Sequence, residues 1–397
     1  MQVKRAYQYR LYPTKKQAQA LEQLLVAGQR LYNAALEHRL LCWRRYRKPV
    51  WYLDQASDLK AIRGEHPDIG VLNFSACQQV LRRLDKVYRQ FVKGKWGRPR
   101  FKPLSRFRSL EFRFGDGAGL TKKGRLRIQH AGEIRVRWHR GLPDGAEIKD
   151  LVLTRHADGK WFVTFRFEAP DPPTPPAHTG PAVGIDVGLE SFATLSTGEK
   201  IVNPRWYRRS EERLKAVQRR YSKSKSRRQR KRLSQLHAKV GRQRKDFLHK
   251  QSHRLSKEFS LIAVEKPHIK NMSKRPKPKP DGQGGFLPNG AAQKAGLNKS
   301  IHDAAWGTFL SMLRYKVAKT GSRLVEVPPA RTSWRCASCG RLVPKSLSIR
   351  VHDCPHCRFR CDRDLGAALV ILSKALDGSG TGPRPPAVEA RSPLGGG

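Results

Sequence analysis

Four cysteines near the C-terminus stand in two pairs, Cys336-x2-Cys339 and, after fourteen residues, Cys354-x2-Cys357. Each pair suits a knuckle whose two thiolates reach one ion, and two knuckles complete a tetrahedral Zn²⁺ site with no open position. His352, His356 and Cys361 are near enough in sequence to replace a ligand, but a register using all four knuckle cysteines is simpler. A closed site of four thiolates is structural and hydrolyses nothing, so any bond-breaking chemistry belongs elsewhere. Five of the seven cysteines fall within 26 positions, which points to a metal site in a reducing compartment rather than a disulfide framework.

Carboxylates are scarce in this chain, 32 Asp and Glu against 81 Lys and Arg, so their placement is informative. Asp186 sits inside the apolar run Val183-Gly184-Ile185-Asp186-Val187-Gly188, where a lone charge is expensive to bury. Glu265 ends the run Leu261-Ile262-Ala263-Val264, and Asp364 lies at the start of an apolar, helix-like segment. Singly, each also fits a cap or a satisfied core acid. Together, two strand carboxylates and one at a helix start can converge on a divalent pair about 3.5–4 Å apart, which activates water and stabilises the leaving oxygen at a phosphodiester. Hard carboxylate oxygens suit Mg²⁺ or Mn²⁺.

The elements that must hold these residues follow from periodicity. A chain of 397 residues with 38% hydrophobic residues suggests two or three domains with real cores. Its formal charge of +49 makes a polyanion, and specifically nucleic acid, the default partner. No apolar run approaches the length of a membrane span, and the N-terminus has no signal core. The first hundred residues read mostly as helix, with capping-box spacing at Thr14 and Gln17 and again at Ser75 and Gln78. From Phe101 the period becomes two, and a hairpin is predicted at Ala157-Asp158-Gly159 between 148–156 and 161–167. Several short strands with arginines on one face suggest a small barrel or curled sheet, and Pro170 to Pro176 reads as a linker.

Beyond the linker come a strand at 183–187, hairpin partners at 192–195 and 200–202, and a basic helical stretch at 205–257. Strands follow at 261–264 and 324–327, a loop at 273–290, and helices at 301–320 and 364–376. The stretch from Arg205 to Lys257 holds 21 Lys and Arg against three acids, far more charge than solubility requires. Arg205, Arg227, Arg228, Arg230, Lys231 and Arg232 are its candidate nucleic-acid contacts, made to backbone phosphates rather than to bases.

In order, Gly184-Ile185-Asp186-Val187-Gly188, Val264-Glu265, Thr332-Ser333-x2-Cys336-x2-Cys339, Cys354-x2-Cys357 and Asp362-Arg363-Asp364 resemble the TnpB family. These are transposon-encoded, RNA-guided DNA nucleases similar to compact type V CRISPR effectors. Tyr9-Arg10-Leu11-Tyr12-Pro13, Gly97-Arg98-Pro99-Arg100-Phe101-Lys102 and Gly296-Leu297-Asn298-Lys299-Ser300-Ile301 extend the resemblance over nearly the whole chain.

The resemblance implies a multidomain α+β fold: a split wedge β-barrel with an inserted helical recognition lobe, then an RNase H-like RuvC α/β nuclease domain carrying a zinc-ribbon insertion. On that pattern the wedge takes 1–12 and 101–169, the recognition lobe 13–100 and a linker 170–180. RuvC segments take 181–331 and 361–377 around a target-binding ribbon at 332–360, and 378–397 is a disordered tail. Asp186, Glu265 and Asp364 match the catalytic, Mg²⁺-holding acids, with Asp362 as runner-up for the third. The implied partners are a guide RNA and a double-stranded DNA target, with one guide per monomer, in the cytoplasm of a prokaryote. One departure is Gly366, which takes the place of the family's usual Asn. Other readings of the same surface are a catalytically silent RNA/DNA-binding regulator and a guide-independent nuclease; the acid triad weighs against the first and the large basic N-terminal half against the second.

Overall fold

The computed structural model describes residues 2–171, 173–346 and 348–378. The expected tail therefore lies, but for Gly378, outside the described residues. The chain forms two compact units, Met1–Pro172 and Pro173–Gly397, which divide within the proline-rich stretch.

The first unit opens with strand β1 (Gln2–Tyr12) and helix α1 (Lys15–Tyr46). The capping box forms as the spacing predicts: Gln17 N donates to Thr14 Oγ1 at 3.3 Å, and Thr14 N donates to Gln17 Oε1 at 3.0 Å. Short helices α2 (Tyr52–Ser57), α3 (Leu59–Glu65) and α4 (Pro67–Gly70) lead to α5 (Phe74–Val92). Here the expected start at Ser75 is corrected. Asn73 is the cap, its Oδ1 accepting from Ala76 N at 3.0 Å, because an extended asparagine reaches the same orphan donors two residues earlier.

Six strands follow: β2 (Ser109–Arg113), β3 (Ala118–Leu120), β4 (Leu126–Ile128), β5 (Gly132–Arg137), β6 (Glu147–Arg155) and β7 (Trp161–Pro170). Their order with β1 is β2-β6-β7-β1-β5-β4-β3, and the isolated bridge Phe114↔Ala118 brings the edges together into a nearly closed barrel. β1 lies at its centre, paired with β7 from Gln2↔Pro170 to Leu11↔Trp161 and with β5 from Arg10↔Arg137. Alternation sets the inside. Leu110, Phe112, Ile134, Val136, Leu151, Val163 and Phe165 are buried, whereas Arg135 and Arg137 are exposed.

The second unit contains β8 (Ala182–Val187), β9 (Ser191–Leu195), β10 (Lys200–Val202), α6 (Trp206–Ser224), α7 (Arg227–Glu258), β11 (Leu261–Glu265) and α8 (Ile269–Met272). A two-residue-per-strand ladder, β12 (Lys279–Pro280) and β13 (Phe286–Leu287), interrupts the expected loop. Then come α9 (Ala291–Ala304), α10 (Trp306–Thr320), β14 (Arg323–Val327), β15 (Val351–Asp353), β16 (Arg360–Asp362) and α11 (Arg363–Asp377). The main sheet has the order β10-β9-β8-β11-β14, with β8, β11 and β14 parallel and the two hairpin strands antiparallel.

Both faces of this sheet are covered, which is why its central strands read as apolar runs. Val183, Ile185, Ile262 and Val264 share a core with Leu248 and Leu255 of α7 and Phe309 and Leu313 of α10. Ala263 and Val327 share another with Ile371 and Ala375 of α11.

The basic stretch folds as two helices: Lys225 turns into the left-handed region (φ 51°) and Ser226 caps α7 through Gln229 N. One helix expectation is corrected. The helix expected at 301–320 is two, broken at Ala305 (φ 55°), so Gly296 to Ile301 belong to α9 rather than preceding a helix.

Candidate active site and metal centre

β8 and β11 run parallel with Ile185 opposite Val264, so Asp186 and Glu265 are the next residues of neighbouring strands. This is the carboxyl end of the parallel strands, where open α/β sheets place their ligands. α11 supplies the third acid through a close approach. A Cβ on Gly184 would stand 2.0 Å from the Ala368 carbonyl oxygen and 2.9 Å from Leu372 Cβ, so only glycine lets the helix lie this close to β8. Asp364 is one turn before Ala368, and Asp186 is two residues after Gly184; the same contact therefore carries both acids toward one place.

The electrostatics record that meeting. Burial pushes the Asp186 carboxyl well above the usual range, and the charges of Glu265 and Asp364 push it further, against the opposing pull of Arg363. Burial also raises Glu265, while the hydroxyl of Thr332, which donates to its Oε1, and the charge of Lys374 act the other way. Asp364 faces the guanidinium of Arg363, Nη2 to Oδ1 3.2 Å, and that of Arg350 at 3.9 Å.

Asp362 has a different task. Its Oδ1 accepts from the backbone N–H groups of Asp364 and Leu365, at 3.0 and 3.1 Å, so it is the cap of α11, and its Oδ2 pairs with Lys200 Nζ at 2.9 Å. Burial would raise its carboxyl, but Lys200 and these amides outweigh burial and hold it below the usual range. With capping assigned to Asp362, the Asp364 side chain has no capping task.

Three half-buried carboxylates with hard oxygens form a donor set that suits a divalent cation. Among the described residues, however, the four cysteines are the one group of metal-ligating side chains gathered tightly about a point; the three acids share a neighbourhood without closing on one centre. The cysteine sulfurs all lie within 4.8 Å of one another, and Cys336–Cys357 and Cys339–Cys354 are each 3.7 Å apart. A tetrahedron with Zn–S bonds of ~2.3 Å has an edge of ~3.8 Å, which the two 3.7 Å pairs match, so the four sulfurs suit Zn²⁺. The Phe359 N–H helps hold the Cys357 thiol down at about 7, close to the thiolate that a metal requires.

The alternative ligands lie outside this group of four. His352 Nδ1 meets Lys345, His356 Nδ1 meets Arg341 at 3.2 Å, and Cys361 stands beside Gly366. A Cβ on Gly366 would come 3.1 Å from the Cys361 sulfur, so an asparagine here would require that sulfur to move.

The six basic candidates fall in two places. Arg205 is the left-handed residue before α6, with its Nη2 near the Leu189 carbonyl at 3.4 Å. Arg227, Arg228, Arg230, Lys231 and Arg232 occupy the first turns of α7, all exposed and with no acidic partner among the described residues. The first buried residue of α7 is Val240. Later arginines are stitched to the fold instead: Arg244 to Asp303 at 2.7 Å and Arg254 to Glu199 at 2.7 Å. Thr332, Lys374, Arg350 and Arg363 surround the acids without having been singled out as site residues from the sequence. Thr332 had a signal there, since it opens the Thr-Ser-x2-Cys motif.

Comparison with known proteins adds three family matches. Residues 164–276 match a family described as a probable transposase, 306–371 a Cas12f1-like TNB domain, and 1–48 a helix-turn-helix domain. The last span folds here as β1 and the single helix α1. A relative from Streptomyces pristinaespiralis, bearing the name "Putative RNA-guided DNA endonuclease", is 34% identical over 98% of this chain and 94% of its own length. The Escherichia coli K12 protein InsQ, of the same description, is 29% identical over 75% of this chain and 73% of its own. A solved Cas12f1–sgRNA–target DNA complex aligns over 93% of this chain and 99% of that one, at 13% identity and a TM-score of 0.33.

Proposed function

The chain belongs to the TnpB family of RNA-guided DNA endonucleases, and from that premise we propose that it makes double-strand breaks with a single RuvC-type site, directed by a transposon-derived guide RNA and a short target-adjacent motif. The observation that carries this reading is the placement of Asp186 and Glu265 on adjacent parallel strands, with Asp364 on the helix packed against β8. The β8–β9–β10 hairpins leading into parallel β11 and β14, with α11 laid on β8, support an RNase H-like core. The barrel built on β1 corresponds to the wedge, and the helices inserted after β1 to the recognition lobe.

A divalent pair bound by the three acids, Mg²⁺ or Mn²⁺, would polarise the scissile phosphate and activate the attacking water. Asp186, whose carboxyl feels the charge of both other acids, would help hold the metal. Glu265, held at one oxygen by Thr332, offers the other. Asp364 completes the set from the first turn of α11. The four cysteines hold a structural Zn²⁺ in a ribbon that works beside this site on target nucleic acid. The exposed start of α7 tracks backbone phosphates of the guide–target duplex, leaving sequence choice to base pairing.

One protein monomer with one guide RNA is the working assembly. No helix among the described residues is long and apolar enough to cross a membrane, and we place the complex in the prokaryotic cytoplasm.

The test is plasmid cleavage in Mg²⁺ by protein purified with its copurifying RNA and by protein stripped of it. Linearisation that requires the RNA and follows its guide sequence supports the proposal. Cutting without RNA would make the chain a guide-independent nuclease, and binding without cutting a regulator.

A further inference from the structure

Resting on the nuclease reading above, we infer that Thr332 is the positioning residue for Glu265, and that through it the cysteine ribbon sets the geometry of the active site. Thr332 is 4% exposed, an unusual depth for a hydroxyl in a connecting segment. Its hydroxyl donates to Glu265 Oε1 and makes only a long contact, 3.4 Å, with the Pro329 carbonyl. Among the described residues no other group donates a hydrogen bond to the Glu265 carboxylate. One oxygen is thereby fixed and the carboxyl plane with it, leaving Oε2 free to ligate. A carboxylate ligand oriented by a neighbouring hydroxyl is a recurrent device for tuning a metal site.

The segment carrying Thr332 is tied at both ends. Upstream, Lys266 N donates to the Val327 carbonyl at 3.1 Å, and Lys374 Nζ of α11 donates to the Ala330 carbonyl at 3.1 Å. Downstream, Trp334 N and Arg335 N both donate to the Arg331 carbonyl, at 3.2 and 3.1 Å, making one tight turn between Thr332 and Cys336. Cys336 is then locked into its knuckle by its N–H to the Arg341 carbonyl at 2.9 Å. A displaced knuckle therefore displaces Thr332, and a displaced Thr332 releases Glu265. The exit of the ribbon is wired in the same sense, because β16 pairs Asp362 with Val351 and Asp362 caps the helix that bears Asp364.

Thr332→Val keeps the shape and removes the donor; Thr332→Ser keeps the donor and removes the methyl. Both are measured in the full guide-bound complex beside wild type and Asp186→Asn, with Mn²⁺ binding read by electron paramagnetic resonance, zinc by elemental analysis, and kcat and KM by guided cleavage. Thr332→Val should retain its zinc and its KM for target, while its Mn²⁺ half-saturation rises and its kcat falls by about 10–100-fold. Thr332→Ser should recover most of both. Cys339→Ser should weaken Mn²⁺ binding in wild type and add little in the Thr332→Val background, because both act through one hydrogen bond.

Wild-type Mn²⁺ affinity in Thr332→Val overturns the positioning role, as does Thr332→Ser failing as badly as Thr332→Val. Fully additive effects of Cys339→Ser and Thr332→Val overturn the coupling to the ribbon. If wild type itself takes no Mn²⁺ that Asp186→Asn abolishes, the nuclease reading fails and this inference falls with it.

Discussion

Gly184→Ala should damage catalysis through one methyl group that touches no substrate. The added Cβ would stand 2.0 Å from the Ala368 carbonyl oxygen, about 1.4 Å inside ordinary van der Waals contact, and 2.9 Å from Leu372 Cβ. The Ala368 oxygen is backbone of α11 and Leu372 Cβ is fixed to that backbone, so no side-chain rotation relieves the clash. The helix must lift from β8. Overpacking of this kind costs about 1–3 kcal/mol, and each kcal/mol lowers the Tm of a domain this size by about 2–4 °C. The larger effect is on chemistry, because Asp364 moves with α11 while Asp186 stays on the strand. A displacement of about 1 Å at a reacting centre can cost about 10²-fold in rate. Guided cleavage of a plasmid should therefore fall by about that factor while guide and target binding persist. Gly241→Ala is the control: nothing lies within 4 Å of its Cβ, and in mid-helix alanine should add up to about 1 kcal/mol. Wild-type Tm and cutting rate in Gly184→Ala would refute the claim that this glycine brings the two acids together.

Cys339→Ser should lower zinc from one per chain and loosen the ribbon, with Cys42→Ser and Cys77→Ser leaving zinc unchanged; full retention of zinc in a Cys336/Cys354 double variant would contradict the four-cysteine site. Replacing Arg227, Arg228, Arg230 and Arg232 with Gln should flatten the salt dependence of guide binding by roughly 0.7–0.9 in log–log slope for each phosphate that is no longer neutralised, and a changed target preference would show that α7 reads bases. Asp186→Asn tests the acid cluster through stability. Because the folded protein holds this carboxyl above its unfolded value, the metal-free fold loses stability as pH rises from the ordinary carboxylate range through the folded pKa. In a chelator at neutral pH, Asp186→Asn should melt above wild type with a flatter pH dependence, and in Mg²⁺ the order should reverse. A wild type more stable than Asp186→Asn in the chelator would contradict the crowding of charge described here.

What was legible in the sequence was whatever one segment carries alone. The apolar runs around Asp186 and Glu265 announced strands buried on both faces, and two Cys-x2-Cys pairs announced four sulfurs able to share an ion. Thr14 and Gln17 announced the start of α1. What depends on remote pairing was not legible. Asp362 and Asp364 are two residues apart and chemically alike; only the hydrogen bonds to the α11 amides and the contact with Lys200 separate cap from cluster. The break at Ala305 occurs at a residue with no intrinsic preference for a positive φ, so the helical period ran straight through it. Thr332 was visible as part of a motif, but its bond to Glu265 spans 67 residues and needs the fold to be seen. At Gly366 an added Cβ would stand 3.1 Å from the Cys361 sulfur, a tight contact that only the fold reveals.

The central claim is that Asp186, Glu265 and Asp364 are one site serving both DNA strands. The most direct measurement is the cleavage of a guided supercoiled plasmid in Mg²⁺ by Asp186→Ala, Glu265→Ala and Asp364→Ala, with Asp362→Ala alongside and guide and target binding measured in parallel. Each of the three should abolish nicking and linearisation together while binding survives, and their combinations should add little more. Asp362→Ala should keep most activity, since Lys200 and the helix start lose a partner but the cluster keeps its acids. If Asp364→Ala cuts like wild type and Asp362→Ala does not, the third acid is misplaced by two residues; if all three single variants cut normally, there is no such site.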